Sequence, residues 1–361
     1  MNNKNNTVVV GMSGGVDSSV SAYLLKEQGY KVIGLFMQNW QSEPGEVCTS
    51  EIDFSDASKV CDMLNIPLHR ANFSDTYWEK VFEQFLNEHK LGRTPNPDVL
   101  CNREIKFKSF LNYAFDIGAD FIATGHYASL IDDKKKKYLC RASDLNKDQT
   151  YFLHEVNEQE FKKCIFPLSN ILKDDVRSIA RKINLPVSSK KDSVGICFVG
   201  ERNMKNFLSR FMNLEKGIIL DEYGVNVGIH NGATLYTKGQ RQGLNIGGVK
   251  GKEDLPWYVF DKNIEKNEIH VCQGLDNDLL YAKSLQCEKI SWINENNYKY
   301  PIKCSVQVRH QHTPVNCEIT IKKNIYDVKF LEPIRAVAEG QSAVFYNKNI
   351  CLGGGIITKS A

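Results

Sequence analysis

The stretch TVVVGMSGGVDSSVSAYLL, Thr7 to Leu25, constrains this chain more than any other. A short β-branched run predicts a strand, and the glycine loop SGGVDSS follows at once. After it, Val16, Val20, Tyr23 and Leu24 fall on one face of a helical pattern that Gly29 closes. Glycines between a strand and a helix let backbone N–H groups approach a phosphate, and the helix dipole favours the negative charge. The loop is not a Walker A motif, because no Gly-Lys-Ser/Thr follows. The G-x-G-x-x-G spacing of a dinucleotide fold is also missing.

The region around this loop reads as alternating strands and helices. KVIGLFM, PLHRANF and FIATG are the next strands. Helices are expected at about Phe54–Leu64, Trp78–His89 and Ile105–Ile117. This order predicts an α/β fold with a parallel, doubly wound sheet and a ligand at the strands' C-terminal ends. Residues 150–210 read as mostly helical. After about Gly217 the pattern becomes short alternating strands with Gly and Asn turns, which predicts an all-β part closed as a barrel. The lysine run DDKKKKY, Asp132 to Tyr138, is expected to be an exposed loop.

The 361 residues suggest two or three domains at about 150 residues each. No apolar run reaches the roughly 18 residues of a membrane span, and the first residues carry no secretory or transit pattern. A cytoplasmic protein with no membrane contact is therefore expected. Eleven cysteines without a C-x-x-C pair argue against a disulfide framework, a zinc ribbon and a local iron–sulfur set, so no metal ligands are assigned. The first 200 residues carry 25 Lys/Arg against 26 Asp/Glu, and the remainder carries 21 against 17. The excess in the second half suits either an ordinary surface or contact with an anionic polymer.

Two cysteines stand in unusual settings. GRTPNPDVLCNREIKF puts Asp98 and Cys101 in a proline-rich loop ahead of a helical pattern. The helix dipole, Arg103 and Lys106 would favour a Cys101 thiolate. DSVGICFVGERN sets Cys197 in a second glycine-flanked turn. The other nine cysteines read as buried and structural, Cys61 on the apolar face of its helix. His126 follows Gly125 at a strand end, either as a ligand contact or as a hydrogen-bonded structural histidine.

The pattern S-G-G-x-D-S resembles the PP-loop of ATP pyrophosphatases, which cleave ATP between the α and β phosphates and adenylate a substrate oxygen. The ordered set GMSGGVDSSV, GLFMQNW, GRTPNPDVLCNREIKF, ATGHYA, KDQTYFL, GICFVGER, YTKGQRQGL and CLGGGII resembles the tRNA-specific 2-thiouridylase family and runs from residue 11 to residue 356. That resemblance implies a PP-loop domain over residues 1–210, a small central domain over 211–280 and a C-terminal β-barrel over 281–361. It implies that Gly11, Met12, Ser13, Gly14, Gly15, Val16, Asp17 and Ser18, with Met37 and Gly125, hold ATP. Asn96, Pro97 and Asp98 would meet the target base. Cys101 would be the nucleophile and Cys197 the persulfide carrier. Lys147, Asp148 and Gln149 would touch tRNA, as would Arg309 and His310.

Asp98 is the candidate general base, with a loop cap as its plainer reading, and Asp17 is the candidate to place a magnesium ion. A partner protein, a cysteine desulfurase or a sulfur relay, would supply the sulfur. Three positions depart from the family pattern. His310 stands for a usual tyrosine, and imidazole can still stack on a base. Val199 stands for isoleucine. Gln242 stands for lysine, removing one positive charge. Two alternatives stay open at this level: a PP-loop synthetase acting on a small metabolite, and a non-catalytic RNA-binding protein on a nucleotide fold.

Overall fold

The computed structural model describes residues 3–41, 49–133, 136–192, 204–294 and 298–361. Strand β1 (Thr7–Gly11) runs through the glycine loop into helix α1 (Val16–Glu27). Strand β2 (Lys31–Gln38), helix α2 (Thr49–Leu64) and β3 (Leu68–Asn72) follow. Helical stretches at residues 74–90 and 97–116 precede β4 (Phe121–Ala123). Then come a hairpin of β5 (Ser129–Asp133) and β6 (Lys136–Cys140), and a two-residue strand β7 (Cys164–Ile165).

The first sheet has the order β3-β2-β1-β4-β7 and is parallel throughout. Because side chains alternate across a strand, Val8 and Val10 pack with α1, α2 and the helix Lys173–Lys182. Val9, Leu35 and Ile122 enter a second core on the other face, with Phe107, Phe110 and Tyr151. Apolar residues on both faces explain why β1 reads as an unbroken valine run.

The central domain is a four-stranded sheet. It consists of β8 (Gly217–Asp221), β9 (Asn226–His230), β10 (Trp257–Asn263) and β11 (Glu268–Gln273), in the order β10-β11-β8-β9. The barrel contains β12 (Tyr281–Cys287), β13 (Ser291–Trp292), β14 (Ile302–Gln307), β15 (Val315–Lys322), β16 (Ile325–Arg335), β17 (Ser342–Asn347) and β18 (Ile350–Ser360). Six of these strands form the ring β12-β16-β15-β14-β17-β18, which closes where Leu285 of β12 pairs with Ser360 of β18. Closure leaves no free edge in the ring.

Two local expectations change. The stretch read as mostly helical contributes β7, the fifth strand of the first sheet. The described residues of the lysine run, 132–133 and 136–138, are the paired ends of β5 and β6, and β6 extends the barrel by pairing Cys140 with Ile350. The second core continues across this seam through Val344, Tyr346 and Cys351. The N-terminal domain and the barrel therefore share one apolar interior.

Candidate active site

β1 has β2 on one side and β4 on the other, so the connections leave the sheet in opposite directions there. The crevice at such a switch point is where doubly wound sheets bind ligands. The glycine loop leaves β1 at this point, and Gly125 leaves β4 beside it. Gly14 has φ +70°, and a Cβ there would lie 2.3 Å from the Asp53 carbonyl oxygen. A Cβ on Gly125 would lie 2.9 Å from the Ser18 amide nitrogen, and one on Gly11 would lie 3.4 Å from Met37 Cε. The absent side chains let the loop pack against the chain at Asp53, Asp17 and Ser18, while Ser13 stays exposed and Gly15 half-exposed at the start of α1, where a phosphate would meet N–H groups. Within the loop, the Ser13 and Ser18 hydroxyls are 3.1 Å apart, and Ser18 Oγ donates to the Gly15 carbonyl at 3.2 Å. Of the residues expected at the nucleotide, Met12 and Val16 are buried in the first core, Gly11 lies against Met37 and Gly125 against Ser18; the glycine loop at the start of α1 offers the N–H groups and dipole that suit a nucleotide's phosphates.

A charge network surrounds the loop. Lys173 Nζ donates to both Asp17 carboxylate oxygens at 2.7 and 2.8 Å, and the Tyr127 hydroxyl donates to one of them at 3.0 Å. Lys173 also lies 2.9 Å from Asp192, which in turn takes Lys147 at 2.9 Å and Arg177. Burial opposes ionisation of Asp192, yet the hydrogen bonds from Lys173 and Lys147 prevail and hold its carboxyl well below the usual range. Lys190 Nζ donates to the Gly14 carbonyl at 3.0 Å and to Asp53 and Asp56 at 2.8 Å each. Lys173, Lys190 and Asp192 were not singled out in the sequence, because a lysine carries no local mark of a partner about 160 residues away.

The second arm of the site is the helical stretch 97–116. The sequence predicted an extended loop up to Cys101, but the helix already begins at Pro97. Asn96 is its cap, accepting from the Asp98 amide at 3.1 Å, and proline fits the first helical position. Asp98 therefore stands on the first turn, and Cys101 follows where that turn ends. From Cys101 to Ser109 the helix widens to the π form, a geometry frequent at functional sites. Cys101 is buried beside Tyr77, Val81, Phe82, Phe85 and Ile105. Burial raises the Asp98 carboxyl, and the charges of Lys106 and His310 pull it partly back.

The residues expected at tRNA lie beside this helix, and most of their polar groups are engaged internally. Asp148 is 7% exposed; its carboxylate accepts from the Ala142 amide at 3.0 Å and from the Thr150 hydroxyl at 2.6 Å. The Gln149 side-chain oxygen accepts from the Tyr127 amide at 3.0 Å. Arg309 donates to the Lys238 carbonyl at 2.7 Å. His310 donates from Nε2 to the Asp148 carbonyl at 2.9 Å, and its ring centroid is 4.4 Å from that of Phe152. Asn102 holds the same segment by donating to the Phe152 carbonyl at 3.2 Å. Cys197 and its motif lie outside the described residues, as does Cys48.

Fold and site define a PP-loop nucleotide-binding α/β protein with a helix-borne cysteine, extended by a small β domain and a closed barrel. Three family models match in order: a tRNA methyl transferase HUP domain at residues 6–201, a tRNA methyl transferase PRC-barrel domain at 205–273 and an aminomethyltransferase β-barrel domain at 282–357. The chain is 50% identical over 355 residues to the tRNA-specific 2-thiouridylase MnmA of Blochmanniella floridana, covering 98% of this chain and 96% of that protein. The MnmA of Buchnera aphidicola subsp. Schizaphis graminum is 50% identical over 357 residues, covering 98% and 97%. That of Klebsiella pneumoniae subsp. pneumoniae is 49% identical over 360 residues, covering 99% and 98%. The chain belongs to the tRNA-specific 2-thiouridylase family. No helix among the described residues is long and apolar enough to cross a membrane.

Proposed function

We propose that this protein activates the C2 oxygen of the wobble uridine of tRNA with ATP and replaces it with sulfur. The observation that carries the reading is near-50% identity along almost the whole chain to tRNA 2-thiouridylases; the glycine loop at the head of α1 and the capped helix bearing Asp98 and Cys101 support it. Oxide cannot leave from C2, whereas an adenylyl ester can. Asp98 takes the uridine N3 proton as O2 attacks the α phosphorus, and pyrophosphate departs toward the glycine loop. Residues Gly11–Ser18, Met37 and Gly125 hold the nucleotide. Magnesium would enter with ATP and neutralise its phosphates, with Asp17 its candidate ligand once parted from Lys173.

A persulfide on Cys197 supplies the sulfur. Its terminal sulfur attacks C2 and AMP leaves with the oxygen. The Cys101 thiolate then attacks the Cys197 sulfur, freeing the thiolated base and forming a Cys101–Cys197 disulfide that a reductant reopens. Release of free sulfide by the same thiolate attack ends in the same disulfide. Asn96 and Pro97 with Asp98 border the base, while Lys147–Gln149 and the Arg309–His310 pair face the RNA. A cysteine desulfurase or a sulfur-relay protein loads Cys197 in the cytoplasm. The domain limits of this reading are 1–210, 211–280 and 281–361.

The test supplies ATP, magnesium, unmodified tRNA and a persulfide donor, then digests the RNA and weighs the nucleosides. The expected product is 2-thiouridine, dependent on ATP and lost in Cys101→Ser and Cys197→Ser. ATP cleavage to AMP and pyrophosphate on a small metabolite, with both cysteine variants fully active, would replace this reading with a synthetase.

A further inference from the structure

His126 settles into a specific hydrogen-bonded state. Its Nε2 is 3.3 Å from Lys106 Nζ, and its Nδ1 is 2.7 Å from the Thr124 hydroxyl. An ammonium can only donate, so Nε2 accepts, and Nδ1 must carry the ring proton and donate to Thr124. The histidine is a neutral acceptor for lysine. Burial, and then the Lys106 charge, hold it neutral. Its loop begins at Gly125, which lies against the amide of Ser18, so the clamp on Lys106 is anchored at the nucleotide crevice.

Lys106 belongs to the helical stretch that starts with Asp98. Two α-helical turns span about seven residues, but a π segment takes more per turn. With the π segment running from Cys101 to Ser109, the step of eight residues from Asp98 to Lys106 makes about two turns, so helical geometry puts residue 106 on the face of residue 98. We propose that Lys106 is a positioning residue for uridine activation: His126 and Thr124 fix its ammonium toward Asp98, so that Asp98 meets the base as a carboxylate. This rests on the reading of Asp98 as the general base.

The other groups around Asp98 are few. His310 faces it from the turn after β14. Arg103 is paired with Glu104 and Glu155, and Glu79 and Lys80 on the neighbouring helical stretch are exposed. Lys106 is thus the permanent cation among the groups whose charge reaches Asp98.

The experiment is the pH profile of single-turnover thiolation, from about pH 5 to 9, for the full protein with ATP and tRNA. Lys106→Gln is expected to move the acidic limb up by about one pH unit, with the rate recovering on the alkaline side. It should change the rate constant and leave the half-saturating tRNA concentration alone. Lys106→Arg, which keeps a cation, is expected to keep the parent limb. A Lys106→Gln rate lowered by one factor at every pH, or Lys106→Arg behaving as Lys106→Gln, would overturn the proposal. Asp98→Asn separates the two layers. If it thiolates at the parent rate, the general-base reading fails and this inference with it. If it is inactive while the Lys106→Gln limb stays in place, only the role of Lys106 falls.

Discussion

A methyl group on Gly125 would lie 2.9 Å from the Ser18 amide nitrogen and 3.0 Å from the Asp17 carbonyl carbon, both backbone atoms that cannot swing aside. Gly125→Ala must therefore push the first turn of α1 away from β4. The cost to folding is expected to be about 1–3 kcal/mol, as for other overpacked sites. The larger effect falls on ATP, whose phosphates would meet displaced N–H groups. Calorimetric titration should show affinity weakened by at least about tenfold. Unchanged affinity would mean that Gly125 is packing only. At this scale the glycine loop was legible, because strand, loop and helix signals are adjacent. The charges that complete it were not. Asp17 is bound by Lys173 and the Gly14 carbonyl by Lys190, and only the fold creates those meetings. Asp148 was expected at tRNA, and its buried carboxylate instead accepts from the Thr150 hydroxyl and the Ala142 amide.

Among the elements, the segment between the two helical stretches is tied to both of the other domains through Thr94. The Thr94 amide donates to the Glu339 carbonyl at 2.8 Å, Gln341 donates to the Thr94 carbonyl at 2.7 Å, and the Thr94 and Thr237 hydroxyls are 3.0 Å apart. Barrel and central domain thus both hold the chain just ahead of Asn96, Asp98 and Cys101. Gly340 makes this possible, with φ +87° and a Cβ position 2.8 Å from both the Thr94 nitrogen and Arg93 Cβ. Gly340→Ala is expected to cost about 1–3 kcal/mol and to slow thiolation severalfold while ATP affinity stays at the parent value. Normal single-turnover rates beside a lowered melting temperature would show that this contact does not position Cys101. The start of the active-site helix was partly legible. Asn-Pro-Asp is a cap followed by a first-turn proline, but the same residues also suit an extended loop, and only Asn96 bonding the Asp98 amide decides between them. The π widening has no sequence mark; it lies where Cys101 and Ile105 share an apolar cluster with Val81 and Phe82 of the neighbouring helical stretch.

At the scale of the whole molecule, the parallel, doubly wound character of the first sheet and the β-rich second half followed from periodicity, while the strand order and the seams between domains did not. The hairpin β5–β6 reads as a charged loop, because the strand it joins lies some 200 residues further on and leaves no local trace. The seam between the N-terminal and central domains is similar. There His89 is 8% exposed, stacks edge-on against Phe85 at 4.6 Å and has Nδ1 3.3 Å from the Thr234 carbonyl. Burial lowers its pKa from 6.5 to about 4, outweighing the carbonyl contact. The folded form therefore resists a proton that the unfolded chain takes up near pH 6.5. Its contribution to stability is complete above that pH and is lost as pH falls through the window from 6.5 to about 4. By pH 5 the loss attributable to His89 should reach about 2 kcal/mol. His126, His154, His230 and His312 are shifted the same way, so the parent protein should weaken further than this one residue accounts for. His89→Gln, which keeps a polar partner for Thr234 without the titration, is expected to lose about 2 kcal/mol less than the parent between pH 7.5 and pH 5, measured from urea unfolding at both pH values. Parallel losses in the two proteins would mean that His89 is not where acid enters the seam, and that the other four histidines carry the pH dependence.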